Sequence, residues 1–152
     1  MKAKRILCRH VLMILTAIVV LYTLFISLRP VEVVAVYHDN NYIDVIVKHF
    51  PSDDMGKITW WLDHKKTLSS KEVVISSYSL HHYSITLWDY GQGFKPKDDD
   101  ALCFAEIKSS VNCIEKKALL IVSNDNAGNV YFTVDNARYR LDNSNIIKIE
   151  DW

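Results

Sequence analysis

The sequence predicts an α+β protein: a single N-terminal transmembrane helix, then a small domain with a mainly antiparallel sheet and one main amphipathic helix. Three observations predict it. Val11–Leu28 is a run of 18 residues without a charge. Beyond Pro30, runs rich in Val, Ile and aromatic residues alternate with Asn- and Asp-bearing turns. One stretch after Pro51 repeats apolar residues at helical spacing.

At about 1.5 Å per residue, a helix over Val11–Leu28 covers about 27 Å, near the hydrocarbon thickness of a bilayer. Thr16, Thr23 and Ser27 fit such a helix because a hydroxyl can bond back to a carbonyl one turn earlier. Lys2, Lys4, Arg5 and Arg9 precede the run and Arg29 follows it. That bias orients residues 1–10 as a cytoplasmic basic tail, 11–28 as the span and 29–152 as a periplasmic domain. A cleaved signal peptide is the rival reading. The run is longer than an ordinary signal core, no small-x-small site follows it, and Arg29-Pro30 occupies the place of cleavage. The expected location is therefore a bacterial inner membrane, single-pass, with the N-terminus cytoplasmic and the C-terminal domain periplasmic.

The whole chain balances 18 basic and 18 acidic residues, but Arg29–Trp152 carries 14 and 18, a net of −4. With no basic cluster there, nucleic acid is excluded as a partner, since binding it rests on neutralising phosphates. Just over 120 residues suffice for one core. Cys8 sits in the basic flank, where an ordinary thiol and S-palmitoylation both remain open. Cys103 and Cys113 fall on the oxidising side, where a disulfide is expected. Closing that loop stabilises by about 2.8 kcal/mol on the chain-entropy argument.

Val31–Tyr37 and Tyr42–Phe50 read as a hairpin turned at Asp39, Asn40 and Asn41, residues that tolerate left-handed backbone angles. Ser52 or Asp53 caps a helix that runs to Lys66 or Leu68, with Ile58, Trp61, Leu62 and Lys65 on one stripe and Met55 a turn earlier. Lys57, Asp63, His64 and Lys66 lie off that stripe. Trp60 and Trp61 are about 100° apart, so Trp61 is assigned to the core and Trp60 to its edge or to a partner. Val73–Ile75 is a short strand in a Ser-rich loop. Tyr83, Ile85 and Leu87 alternate with Ser84, Thr86 and Trp88 as a strand ending at Gly91-Gln92-Gly93. Leu102–Ile107, Ala118–Ser123 and the segments after Gly128 read as further strands, the last of them an antiparallel meander.

No constellation identifies a reaction. No G-x-S-x-G surrounds a serine, no H-E-x-x-H is present, and the Asp98-Asp99-Asp100 triplet lacks the spacing of a calcium loop. His38, His49 and His64 are scattered, while His81 and His82 point to opposite faces of a strand. Catalytic, cofactor-binding and metal residues are therefore assigned as none, and no cofactor is expected. Trp60, Trp88 and Tyr90 are the candidate interaction surface.

The order of motifs, R-P-V-E-V-V-A-V, F-P-S-D-D-M-G-K-I-T-W-W-L, I-T-L-W-D-Y-G-Q-G-F, L-C-F with N-C-I-E-K, then F-T-V-D and Y-R-L, resembles an enterobacterial family of inner-membrane proteins, domain of unknown function 943. The resemblance implies an inner-membrane protein with a small periplasmic domain, and carries over no activity, cofactor or functional residue. The expected partners are the lipid bilayer and a protein in the periplasm. The expected function is a membrane-anchored periplasmic binding module, in its specific form an immunity protein against an envelope-targeting toxin. The alternatives are an envelope enzyme whose site no linear motif shows, and a structural subunit of an inner-membrane complex.

Overall fold

A computed structural model of the chain describes residues 2–27, 29–39, 41–70 and 82–151. Contacts divide it into two units, Met1–Pro30 and Val31–Trp152. The expected strand at Val73–Ile75 and His81 lie outside the described residues, as does the side chain of Cys8.

The first unit holds helix α1, Lys2–Ser27. Thr16 and Thr23 donate their hydroxyls to the carbonyls of Met13 and Val20, each at 2.9 Å. The expected class, α+β with a transmembrane helix, is corrected here. Among the described residues no helix is long and apolar enough to cross a membrane. The described apolar side chains of α1 run from Val11 to Phe25. Leu28, the far end of the expected span, lies outside the described residues. Strands dominate the remainder, so the protein is mostly β-sheet with two helices among the described residues.

In the second unit, β1 (Glu32–Asp39) and β2 (Tyr42–Lys48) form the expected hairpin, with Asp39 opposite Tyr42. Helix α2 (Asp54–Ser70) follows, and Asp53 caps it by accepting the Gly56 N–H at 2.8 Å. The chain then returns as β3 (Ser84–Asp89), parallel to β2. Short strands β4 (Lys95–Pro96), β5 (Ala101–Cys103) and β6 (Val111–Glu115) make a separate sheet in the order β4-β6-β5. The antiparallel meander is β7 (Ala118–Asn124), β8 (Val130–Val134), β9 (Ala137–Asp142) and β10 (Asn145–Asp151). Main-sheet order is β1-β2-β3-β7-β8-β9-β10, with β2–β3 its parallel step.

The sheet is buried on both faces near β2. Ile43, Val45 and Val47 join Trp61, Leu87, Leu120 and Phe132 in the larger cluster, which α2 covers. Ile46, one residue out of phase, packs with Phe104 and Ile114 of the small-sheet segment. Period-two geometry requires this: a strand with consecutive apolar residues needs apolar cover on both sides. The buried positions of α2 are Lys57, Ile58, Trp61 and Leu68, whereas Met55 is 45 % exposed. Lys57 therefore lies on the stripe rather than off it, because positions 57, 61 and 68 recur at helical spacing and a lysine stem packs as a hydrocarbon.

Candidate functional site

β1 is the terminal strand of the main sheet, so its outer edge has no strand neighbour among the described residues. Beside it α2 presents Trp60, His64 and Leu68 at four-residue spacing, on one helix face. Between them lies a groove of about 590 Å³ whose strand wall includes Val31, Val33 and Val36. Trp60 is the fixed ring of this groove. Its indole stacks on His64, with centroids 4.6 Å apart and planes at 12°. Phe50 meets it edge-on at 5.1 Å. His64 Nδ1 stands 2.8 Å from the Trp60 carbonyl, which fixes the imidazole in that stack. A half-buried, clamped aromatic beside an apolar strand loses little conformational entropy on meeting a partner, the property that makes Trp an interface anchor.

Trp88 and Tyr90 belong to the opposite face. Both pack against the Ile46–Phe104–Ile114 cluster. The Trp88 indole donates to Asp44 at 2.6 Å. Tyr90 meets Phe94 edge-on at 5.5 Å, and Lys48 Nζ lies 4.7 Å from its ring centroid. Gly93, at φ 98°, closes the turn by donating its N–H to the Tyr90 carbonyl at 2.8 Å. A Cβ there would approach the Tyr90 hydroxyl to 3.2 Å. The three aromatic residues named from the sequence are thus divided by the sheet: Trp60 lines the groove, while Trp88 and Tyr90 are half-buried beneath the small sheet.

Cys103 and Cys113 are directly opposite in the β5–β6 pair, with their sulfurs at disulfide distance, 2.08 Å. His38, His49, His64 and His82 are exposed at separate places. Asp98 of the acidic triplet accepts from Lys95 at 2.7 Å and from the Asp100 N–H at 3.1 Å. The Lys95 hydrogen bond lowers the Asp98 pKa, and the same contact raises that of Lys95. Among the described residues no group of three or more His, Cys, Asp or Glu side chains is placed to hold a metal ion. Burial pushes up the phenols of Tyr83 and Tyr37, with Glu106 adding to the rise at Tyr37.

Reading the sequence missed the groove because its two walls, 31–36 and 60–68, are each legible but their juxtaposition is not. The available signal was the unusual apolarity of the first strand, five of whose eight residues are half-buried instead of alternating.

Residues 1–150 match the protein family described as "Enterobacterial putative membrane protein (DUF943)". No curated protein and no solved structure matches the chain.

Proposed function

We infer that this chain, which belongs to that family of enterobacterial membrane proteins, is a binding module of the cell envelope that receives a protein partner in the groove between β1 and α2. The single observation carrying this reading is the Trp60–His64 stack set against a terminal strand whose outer edge has no strand neighbour among the described residues. An extended segment of a partner can add to such an edge through backbone hydrogen bonds while its side chains enter the adjoining groove. In this reading the bilayer contact falls to α1, whose described apolar side chains from Val11 to Phe25 are about half exposed or more. The basic residues Lys2, Lys4, Arg5 and Arg9 suit anionic headgroups.

The narrower form of the proposal is an immunity protein that neutralises a toxin acting in the envelope, where tethering raises its local concentration. The test introduces a photo-crosslinking residue at Thr67, which lines the same groove, in the full chain in cells that meet products of adjacent toxin genes. The expected result is one discrete crosslinked partner together with protection of the producing cell, both lost in Trp60→Asp. Protection without any crosslink through the groove, or neither effect, rejects the reading.

A further inference from the structure

A second cleft, of about 360 Å³, opens at the carboxyl ends of the parallel strands β2 and β3. It is separate from the groove at β1 and shares none of its lining residues. Two parallel strands joined through a helix leave a crevice where both strands end and the helix begins, the position at which α/β sheets commonly take ligands. Here the crevice gathers His49 after β2, Lys57 on the first turns of α2, Asp89 at the end of β3, Lys117 before β7 and Asp135 from the β8–β9 turn.

The charges in it are unequally situated. Lys57 is 3 % exposed, and its Nζ meets Asp135 Oδ2 at 3.5 Å. That is longer than a charge-assisted hydrogen bond, and one carboxylate oxygen can satisfy only one of three N–H donors. Asp135 is 65 % exposed, so water can solvate its carboxylate whether or not the ion pair is made. The Lys57 side chain is 4 % exposed, so far less of it meets water. Opposite, Lys117 Nζ bonds Asp89 Oδ2 at 3.1 Å with 61 % of its side chain exposed. His49 is held at φ 56°, a left-handed conformation unfavourable for a residue with a Cβ, and its exposed ring stands at the rim. The α2 N-terminus contributes no free anion site of its own, since Asp53 already caps it.

We propose that this cleft binds a small ligand through a phosphate group, with Lys57 as the principal contact, Lys117 and His49 at the rim, and Asp135 as the internal anion that the ligand displaces. A phosphate supplies three oxygens where Asp135 supplies one to Lys57, and the displaced carboxylate moves into water it already contacts. The cleft volume suits a small molecule rather than a polypeptide. A soluble phosphate ester and a lipid headgroup present the same chemistry, and the two sources are separable by experiment.

The test measures thermal unfolding of the full-length protein in non-ionic detergent against inorganic phosphate, with chloride at matched ionic strength as the control. A parallel arm replaces phosphate with micelles doped with phosphatidylglycerol. Wild-type protein shows saturable stabilisation by phosphate. Lys57→Met weakens the apparent affinity about tenfold or more, the loss of one charge-assisted contact. Asp135→Asn strengthens it several-fold by removing the competing carboxylate. A purely structural Lys57–Asp135 pair predicts no gain in phosphate affinity from that substitution. If Lys57→Met does not fold, the Asp135→Asn gain and a loss in Lys117→Met decide the matter. Stabilisation in the lipid arm alone, with the same variant pattern, assigns a headgroup. No saturable stabilisation in either arm, or the same response in wild type and Asp135→Asn, overturns the proposal.

Discussion

The indole N–H of Trp88 donates to the Asp44 carboxylate at 2.6 Å, joining β3 to β2 on the face turned toward the small sheet. Parallel pairs are slightly less stable per residue than antiparallel ones, so a side-chain tie at this step adds to the weakest pairing type in the sheet. Trp88→Phe keeps most of the ring packing and removes the donor. Hydrogen bonds to charged groups contribute about 1.5–3 kcal/mol, which is the expected loss in urea unfolding. In Asp44→Asn the effect of Trp88→Phe shrinks, because an amide accepts a weaker bond. Equal losses in the two backgrounds would show that the 2.6 Å contact contributes nothing specific.

The two adjacent tryptophans of α2 separate cleanly by burial. Trp61 is 1 % exposed within the larger core cluster, while Trp60 is half-buried and packed at its edge. Trp61→Ala therefore opens a cavity and lowers stability by about 3–5 kcal/mol. Trp60→Ala, whose ring contacts Phe50 and His64 but leaves a face on the groove, lowers it by less than half of that. Unfolding of the two variants side by side checks the order. A larger loss for Trp60→Ala would make that ring part of the core and remove the groove reading with it.

The disulfide closes a separation of ten residues in a sheet of three short strands. Such a sheet has little intrinsic stability, and the bridge restricts its unfolded chain by about 2.8 kcal/mol on the entropy argument. The suitable variant is Cys103→Ala with Cys113→Ala, since Cys113 is wholly buried and a serine hydroxyl there would need a partner. The expected outcome is a lower unfolding midpoint in oxidising buffer and insensitivity to reductant. A wild-type midpoint that does not fall on reduction would show that the two thiols are not linked in the purified protein.

The hairpins and the helix were legible because local chemistry encodes them. Asp39-Asn40-Asn41 marks one turn and Asp53 a helix start, each readable within a few residues. Period-two alternation likewise placed Tyr83, Ile85 and Leu87 on a buried face. The parallel β2–β3 step was not legible, since it depends on a crossover that no short window encodes. Lys57 was misassigned by its charge, although its spacing to Trp61 and Leu68 placed it on the buried stripe. The N-terminal span was an argument from length, and among the described residues no helix is long and apolar enough to cross a membrane. At the candidate site, Trp60 packs at the edge of the larger cluster, whereas Trp88 and Tyr90 pack on the other side of the sheet, a division that no short window encodes.

Asp125 organises the β7–β8 turn. Its carboxylate accepts the Asn129 side-chain amide at 2.8 Å, the Asn129 and Ala127 N–H groups at 2.9 Å each, and the Tyr131 hydroxyl at 3.0 Å. These bonds, the Asn129 side chain foremost, hold its pKa down from 3.8 to about 2. A depressed folded-state pKa contributes stability that is present above the unfolded value and is lost as pH falls through the folded one. The window is thus from about pH 4 down to about 2. Near-ultraviolet circular dichroism should show stability declining across it in wild type, and a shallower decline in Asp125→Asn. A carboxyl carbon resonance of Asp125 that titrates near 3.8 contradicts the assignment.

The β9–β10 turn carries a defect that substitution can remove. Asp142 and Asn145 are paired, so Asn143 and Ser144 form a two-residue loop, at φ 44° and 73°. Both central positions of such a loop need left-handed angles to match the twist of the strands. Asn tolerates that conformation by local hydrogen bonding, whereas Ser pays the steric penalty of its Cβ, about 1 kcal/mol. Ser144→Gly relieves it but adds backbone entropy to the unfolded chain, leaving a net gain of about 0.5 kcal/mol. Asn143→Ala acts in the opposite sense and destabilises. Urea midpoints of the two variants against wild type check both signs, and destabilisation by Ser144→Gly would mean that the serine hydroxyl stabilises the turn by more than its backbone angle costs.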